Sequence, residues 1–567
     1  MLRSAPLRHR GKRPVMSLRR NRSCRKAVLA IAFALCAGLL ARPACATPPS
    51  IVQAPQSLTV KQGRGAQFDV EAVGVAPFAY HWYHTDSGGD TQLIAACTGR
   101  QCVIGPTTAA AAGSYNVEVY DANGEHAHGA AATLTVLPVA AETLHVAGSC
   151  SAADVKAAIA EIPPGGSGTV VIPTGTCDWV GDLVVVSGKA NIAIRGAGRD
   201  ATTIRRSAAD DGDSVLDDEH PAAIFTFDCT GGQRVDFSGL HLQGTGNTAL
   251  YSRGLELRGH CRDFQVHDLR ISRFTYTGME VKGWMSKGVI YRNEFLDNWR
   301  NGLGYGVTVM GWNTSVNPQY WPPSDIGGDA AVFIEDNLFS GQRHNVASNA
   351  GSRYVFRHNR QIVWRTNSNK DSSLLETFWD GQVDAHGWNA SPGQVGSRTW
   401  EIYDNVFSMA ADVFKANVNA SGSESSPSGI SLRGGNGMVF CNRFEQGAHG
   451  GTLRFTPPII AMEDVEHCAS LVWPVNYQQG YQGHGFFWDN NNGAVTNGGV
   501  VLHSTYLDDS GICAAFLQEN RDYFNHAPSV GEFGADYRIY PYPHPLRDDA
   551  IFRERFEVPL SCEPGPH

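Results

Sequence analysis

The chain has 567 residues, too many for one compact core, and its 42% hydrophobic and 18% charged residues exclude both a disordered chain and a disulfide-only miniprotein. Glycine, at 62 residues, stands well above the ordinary level of roughly 7%, which favours a turn-rich β protein over a helical bundle. Residues 1–46 hold 11 of the 46 Lys and Arg and no Asp or Glu, so the remainder carries 35 basic against 55 acidic groups; such a surface repels nucleic acid and anionic lipid.

In chain order, the first element reads as an address. The first 26 residues are basic, Ala27–Ala41 is an apolar run of signal-peptide length, and Ala44-Cys45-Ala46 is a small-residue cleavage pattern. Residues 1–46 are therefore expected to be a signal peptide and the mature chain to start near Thr47, secreted or periplasmic. The apolar run is shorter than the roughly 20 residues of a membrane anchor, and no other such run follows, so no membrane span is expected in the mature chain. Of 13 cysteines, Cys24, Cys36 and Cys45 would leave with the peptide, and the ten that remain suit an oxidising compartment. Pairing neighbours gives Cys97–Cys102, Cys150–Cys177, Cys229–Cys261, Cys441–Cys468 and Cys513–Cys562. Without paired CxxC units, structural disulfides are expected in preference to a zinc site.

Residues 50–137 alternate apolar and polar in short runs between glycine turns, the pattern of a β-sandwich, which sets a domain over 47–137. On Leu58-Thr59-Val60, Tyr80-His81-Trp82-Tyr83, Gly113-Ser114-Tyr115-Asn116-Val117 and Ala132-Thr133-Leu134-Thr135-Val136, this stretch resembles bacterial immunoglobulin-like domains. The resemblance implies Trp82 in the core and Tyr115 at the tyrosine corner, with Phe68 and Val117 near the places of the usual inter-sheet cysteines. Such modules space, dock or bind, and no chemistry is assigned to this one. Leu137–Glu142 reads as a linker. Ser151–Ile162 reads as a short amphipathic helix with Ser151 as N-cap and Pro163-Pro164 at its end, placed to lid a stack of strands.

Beyond the helix, one phrase recurs: Val289-Ile290-Tyr291-Arg292-Asn293, Phe333-Ile334-Glu335-Asp336-Asn337, Val355-Phe356-Arg357-His358-Asn359, Glu401-Ile402-Tyr403-Asp404-Asn405 and Met438-Val439-Phe440-Cys441-Asn442, with a weaker echo ending at Asn490. The asparagines are spaced 44, 22 and 46 residues apart, one or two turns of a coil of about 22 residues, and then 37 and 48, where insertions or a distorted end are expected. A parallel β-helix in which stacked asparagines bond one another accounts for this period. With Gly168-Thr169-Val170-Val171-Ile172-Pro173-Thr174-Gly175 and Ile194-Arg195-Gly196-Ala197-Gly198, the chain resembles the right-handed parallel β-helix proteins related to pectate lyases over about residues 143–500. The expected fold is all-β: a sandwich over 47–137, a right-handed parallel β-helix over 143–500 with an N-terminal capping helix, and an irregular C-terminal tail over 501–567 that wraps the far end. The superfamily contains lyases, hydrolases, epimerases, tailspikes and adhesins, so the resemblance leaves the reaction open.

Strand alternation turns the residue two before each asparagine outward, giving a column of Tyr291, Glu335, Arg357, Tyr403 and Phe440. On rungs about 4.8 Å apart, Glu335 and Arg357 come within touching distance. The column is read either as a trough for an extended sugar chain, with Tyr291 and Tyr403 stacking on it, or as a solvated sheet face. Between Asn359 and Asn405, acids, a histidine, an arginine and tryptophans crowd together. His386 is the expected general base or acid, Glu401 its carboxylate partner, Arg398 and Arg433 the cations that neutralise a substrate carboxylate, and Trp379 and Trp388 stacking platforms. A lone histidine that bonds only to backbone, and an arginine that only holds a turn, are the structural alternatives.

These groups lead to an exported protein that cleaves an extracellular or cell-wall polysaccharide, by β-elimination with His386, Arg357, Arg398 and Arg433, or by hydrolysis with Glu335 or Asp384 opposite Glu401. The alternative is a glycan-binding or adhesive β-helix without turnover. No cofactor is expected and no metal ligands are assigned; the acidic run Asp210, Asp211, Asp213, Asp217, Asp218 and Glu219 suits Ca²⁺ by ligand type but lacks an EF-hand spacing. The expected partner is a glycan and the expected state a monomer.

Overall fold

The structure is a computed structural model that describes residues 48–62, 65–104, 107–138, 143–181, 183–207, 213–216, 221–283, 285–300, 303–311, 326–363, 382–385, 397–409, 429–432, 435–445, 460–462, 485–490, 501–502, 519–521, 523–529, 532 and 537–547. The proposed signal peptide lies outside these residues. Among them no helix is long and apolar enough to cross a membrane.

Residues 48–138 fold into short strands whose alternation buries one face. Ala79–Thr85 pairs antiparallel with Gly113–Tyr120, which pairs with Ala132–Leu137, and Leu58–Lys61 runs parallel to that last strand. Trp82 is fully buried and its indole N–H donates to the Gly99 carbonyl at 2.8 Å. Phe68 stacks on Tyr115 at 4.6 Å, and the Tyr115 hydroxyl donates to the Ala111 carbonyl at 2.7 Å, so both large aromatics have their polar atoms satisfied inside the core.

From Leu144 onward the chain winds as a parallel β-helix. Three all-parallel sheets form its walls: sheet A from Leu144–Val146 to Tyr523–Phe524, sheet B from Gly175–Trp179 to Arg443–Glu445, and sheet C from Val184–Ser187 to Val501–Leu502, with twelve, nine and ten strands among the described residues. Each turn of the coil supplies one strand to C, then A, then B. Inward residues such as Phe237, Ile271, Val307, Phe339, Phe356 and Ile402 form one continuous apolar core. A parallel stack has no hairpins to hold its register, so hydrophobic alternation and the corners must do so.

The corner between sheets A and B is where the repeated phrase acts. In each phrase the residue before the asparagine is left-handed, with φ of 53° at Arg292, 56° at Asp336, 54° at His358, 55° at Asp404, 56° at Cys441 and 52° at Asp489. That bend aims the next side chain inward. Asn337 Oδ1 then accepts from the backbone and side-chain N–H of Asn293 at 2.9 and 3.0 Å, and the pattern passes through Asn359, Asn405, Asn442 and Asn490 without a break. The 37- and 48-residue intervals, expected to disturb register, leave it intact at this corner.

The near end of the coil is lidded by helix α1, Ala152–Ala160, where the Ser151 hydroxyl accepts from the Asp154 N–H at 3.2 Å as the N-cap expectation required. Disulfides join Cys97–Cys102, Cys150–Cys177 and Cys229–Cys261. Cys441 is also disulfide-bonded, while Cys468, Cys513 and Cys562 lie outside the described residues. The Cys150–Cys177 bridge ties the approach to α1 to the first strand of sheet B across 27 residues. Replacing both cysteines by serine is expected to cost about 3 kcal/mol, from loop entropy returned to the unfolded chain, read as a lower urea midpoint.

The described tail departs from the expected far-end wrap. Tyr523–Phe524 still pairs in sheet A, and residues 537–547 run back along the outer face of that sheet as a strap, reaching strands that begin more than 200 residues earlier.

Candidate functional site

The outward column of sheet A is stacked as the phrase predicted, with Tyr291, Glu335, Arg357, Tyr403 and Phe440 on successive strands. It does not form an open trough: Glu335 and Arg357 are 0% exposed, because the strap lies on them. Glu335 accepts from Arg357 Nε at 2.7 Å, from the His544 backbone N–H at 2.9 Å and from Arg547 Nη1 at 2.9 Å. Arg357 in turn donates to the carbonyls of Tyr540 and Pro541 at 2.6 and 2.8 Å and to the Tyr403 hydroxyl at 2.9 Å. The Arg547 guanidinium lies over the Tyr291 ring at 4.6 Å. The charged edges of this column, Glu335 and Arg357, thus meet the chain's own tail, while the Tyr291 hydroxyl donates to Gln265 Oε1 at 3.4 Å.

Burial alone would raise the Glu335 carboxyl, but Arg357 and Arg547 overcome this and bring it to about 2. Glu401 sits on the same outer face and forms no ion pair among the described residues: it accepts from the Gly327 N–H at 2.8 Å and the Tyr537 hydroxyl at 2.9 Å, and burial, only partly offset by these bonds and by Arg357, pushes it up to about 7. Its expected partner His386, with Arg433, Trp379 and Trp388, lies outside the described residues. Asp384 belongs to sheet C, in the strand Val383–Ala385, so a hydrolytic pair of Asp384 with Glu401 is corrected: the two carboxylates lie on different walls of the coil, with the apolar core between. The backbone N–H of Arg398 donates to the Ser352 carbonyl at the turn leading into Thr399–Tyr403.

Sheet C carries a second cluster, which the sequence reading missed. Thr226, Glu256, Glu280, Thr308, Ala347, Asp384 and Ser431 are in register on successive turns, alternating with core residues such as Leu255, Leu257, Met279 and Val281. Beside them runs Arg253, Thr277, Tyr305 and His344. Two residues apart in a regular strand would share a face, whereas Arg253 and Glu256 are three apart and both face outward. The reason is a bend at Gly254, where a Cβ would point inward, 2.8 Å from the Phe274 ring. Gly278 and Gly306 repeat the bend on the next two turns; a Cβ at Gly278 would lie 2.9 Å from the Gly306 carbonyl.

The bend lets Arg253 reach two carboxylates, Glu256 at 3.5 Å and Glu280 at 3.2 Å, which are 4% and 2% exposed. The Thr226 hydroxyl also donates to Glu256 at 3.2 Å. Tyr276 lies against Arg253, with the guanidinium carbon 5.3 Å from its ring, and burial raises its hydroxyl well above the ordinary value, a shift that Glu280 reinforces. Tyr305 stacks on His344 at 5.5 Å. One wall thus brings together two carboxylates a single rung apart, a cation between them, two tyrosines and a histidine. With rungs about 4.8 Å apart, Asp384 stands four rungs, about 19 Å, from Glu256 and belongs to the same face but not to the same pair. Among the described residues no group of His, Cys, Asp and Glu could hold a metal ion, and most of the acidic run at 210–219 lies outside them.

The fold and this site define the chain as a parallel β-helix protein with an ion-paired carboxylate cluster on one wall. No family model matches it, and no curated protein matches it. Among solved structures it is similar to a chimeric titin Z1Z2 (21% identity, covering 16% of this chain and 96% of that one, TM-score 0.14). It is also similar to a titin M10–obscurin-like 1 immunoglobulin complex (24% identity, 17% and 98% coverage, TM-score 0.14) and to DIP-gamma IG1+IG2 (15% identity, 16% and 48% coverage, TM-score 0.14). At these TM-scores the similarities carry no argument about the β-helix or its chemistry.

Proposed function

We propose that this chain is an exported, carbohydrate-active member of the pectate-lyase-like β-helix group that cleaves an extracellular or cell-wall polysaccharide on the outer face of sheet C, while an immunoglobulin-like N-terminal module docks or spaces it. The observation that carries the reading is Glu256 and Glu280 on adjacent rungs with Arg253 between them. A buried ion pair adds little net stability compared with an apolar filling of the same volume, so a pair kept buried on the outer side of a wall that a continuous core already supports favours chemistry over architecture. Glu256 and Glu280 stand on strands about 4.8 Å apart and both reach Arg253, which supports the reading as a retaining glycosidase pair, whose carboxyls lie roughly 5–5.5 Å apart and in which one group protonates the leaving oxygen and the other attacks the sugar. The basic and apolar start of the sequence and the disulfides support export.

The test is a digest of acidic and neutral glycans with reducing-end and ultraviolet detection together. New reducing ends without unsaturated products are expected. Ultraviolet-absorbing products would replace hydrolysis by β-elimination, and tight binding without either signal would replace cleavage by an adhesive role.

A further inference from the structure

The strap at 537–547 covers sheet A without adding a strand to it. Among the described residues no backbone-to-backbone hydrogen bond joins it to that sheet, and Pro541, Pro543 and Pro545 have no N–H to give. Its hold is instead ionic and side-chain based: Arg547 and the His544 N–H on Glu335, Arg357 on the Tyr540 and Pro541 carbonyls, Tyr542 on Asp336, and Tyr537 on Glu401. The His544 ring is itself buried against Phe333, with centroids 4.5 Å apart. A sheet strand would keep its bonds at any pH; this attachment depends on the charge of the groups under it.

We propose that residues 537–547 form an acid-released latch over the outer face of sheet A, closed when Glu335 is ionised between Arg357 and Arg547 and His544 is neutral, and opened when both take up protons. Opening uncovers the strip of Tyr291, Phe333, Arg357, Tyr403 and Phe440. The latch is independent of the chemistry proposed for sheet C.

The groups facing the latch set its direction; besides the three that follow, Asp336 accepts from the Tyr542 hydroxyl and pairs with Arg547, and the His358 ring, 3.7 Å from Asp404, stacks on Tyr542 at 3.6 Å. Glu335 faces Arg357, Arg547 and His544; held at about 2 when closed against 4.5 when free, it favours closure fully above 4.5 and loses that contribution as pH falls toward 2. His544 faces Glu335, Arg357, Lys287 and Arg547; burial first, then those cations, bring it from 6.5 to about 3, so the open form binds the extra proton between these values and acid again favours opening. Glu401, beside Tyr537, Tyr403 and Arg357, acts oppositely: at about 7 when closed against 4.5 when free, it favours closure in acid and loses that contribution as pH rises to 7. Between 4.5 and 6.5 His544 and Glu401 offset each other. Below 4.5 Glu335 joins His544, the Glu401 contribution no longer grows, and the latch opens.

The experiment is hydrogen exchange on the full chain, with amide protection factors corrected for intrinsic rates. Between pH 6 and pH 3.5 the amides of His544 and Leu546 are expected to lose protection by roughly 10- to 100-fold, while those of the core strand Arg353–Arg357 keep theirs. His544→Phe keeps an aromatic ring against Phe333 but removes both a titrating group and the acceptor of the Leu546 N–H, so the variant is read at the amide of position 544 alone, which is expected to lose no more than a few-fold protection over the same range. Equal strap protection at the two pH values in the wild-type chain, a core strand that opens in step with the strap, or an unchanged acid response in His544→Phe would each overturn the latch.

Discussion

Replacing Asn359 by leucine is expected to destabilise the coil by about 3–5 kcal/mol, although the two side chains have the same number of heavy atoms and the same branching. The Asn359 side-chain oxygen accepts from the backbone and side-chain N–H of Asn337, and its amide donates to the carbonyls of Ile334 and Arg357 and to Asn405. Leucine leaves the Asn337 backbone N–H buried without an acceptor, at roughly 1–3 kcal/mol, takes a donor from the carbonyls of Ile334 and Arg357, and removes the cross-rung bond to Asn405, while the Asn337 side-chain amide keeps the carbonyls of Ile290 and Glu335. Aspartate is expected to be worse, since it can accept from Asn337 but brings a charge with no cation among the groups that bond Asn359. Asn293, near the start of the row, accepts among the described residues only from the Leu269 N–H and is expected to cost less. Urea midpoints of the single variants check the order, and a double variant at 337 and 359 checks the coupling: neighbours in one network are expected to be less than additive.

The same residues show how far the sequence could be read. The asparagine phrase was legible because a corner that bonds along the coil axis must recur with the coil, and each copy carries its own strand, its left-handed residue and its amide. The helix cap and three of the expected disulfides were legible for the same local reason. The column beside each asparagine was placed on the correct face and its Glu335–Arg357 contact was foreseen, yet its environment was not. Exposure depends on what packs from elsewhere, and the strap joins Tyr540 to Arg357 across 183 residues and Arg547 to Glu335 across 212. No periodicity carries that information. Sheet C does carry a signal in the sequence: Arg253-Gly254-Leu255-Glu256-Leu257-Arg258, Thr277-Gly278-Met279-Glu280-Val281-Lys282 and Tyr305-Gly306-Val307-Thr308-Val309-Met310 repeat one phrase at intervals of 24 and 28 residues. A glycine inside a strand pattern marks a bend, and an acid repeated at a fixed distance from it marks a column.

That column carries the largest expected effect on activity. In the cleavage proposed here, Glu256→Gln and Glu280→Gln are each expected to lower kcat by about 10²–10⁴-fold while the chain stays folded, because glutamine fills the same volume but can neither attack the sugar nor protonate the leaving oxygen. Arg253 still has the other carboxylate to face in either variant, so its charge is not stranded. The double variant is expected to be little slower than the worse single one, since both groups serve one step. A purely structural ion cluster behaves differently: each removal would lower the urea midpoint, the double variant would strand Arg253, and turnover would follow stability. The alanine variants separate the two further. If one glutamate attacks the sugar carbon, a small anion such as azide can occupy the space left by its truncation and restore part of the turnover, giving a glycosyl azide; restoration at one of the two positions is expected, and its absence at both, with activity tracking the fraction folded, would assign Arg253, Glu256 and Glu280 to the architecture of the wall.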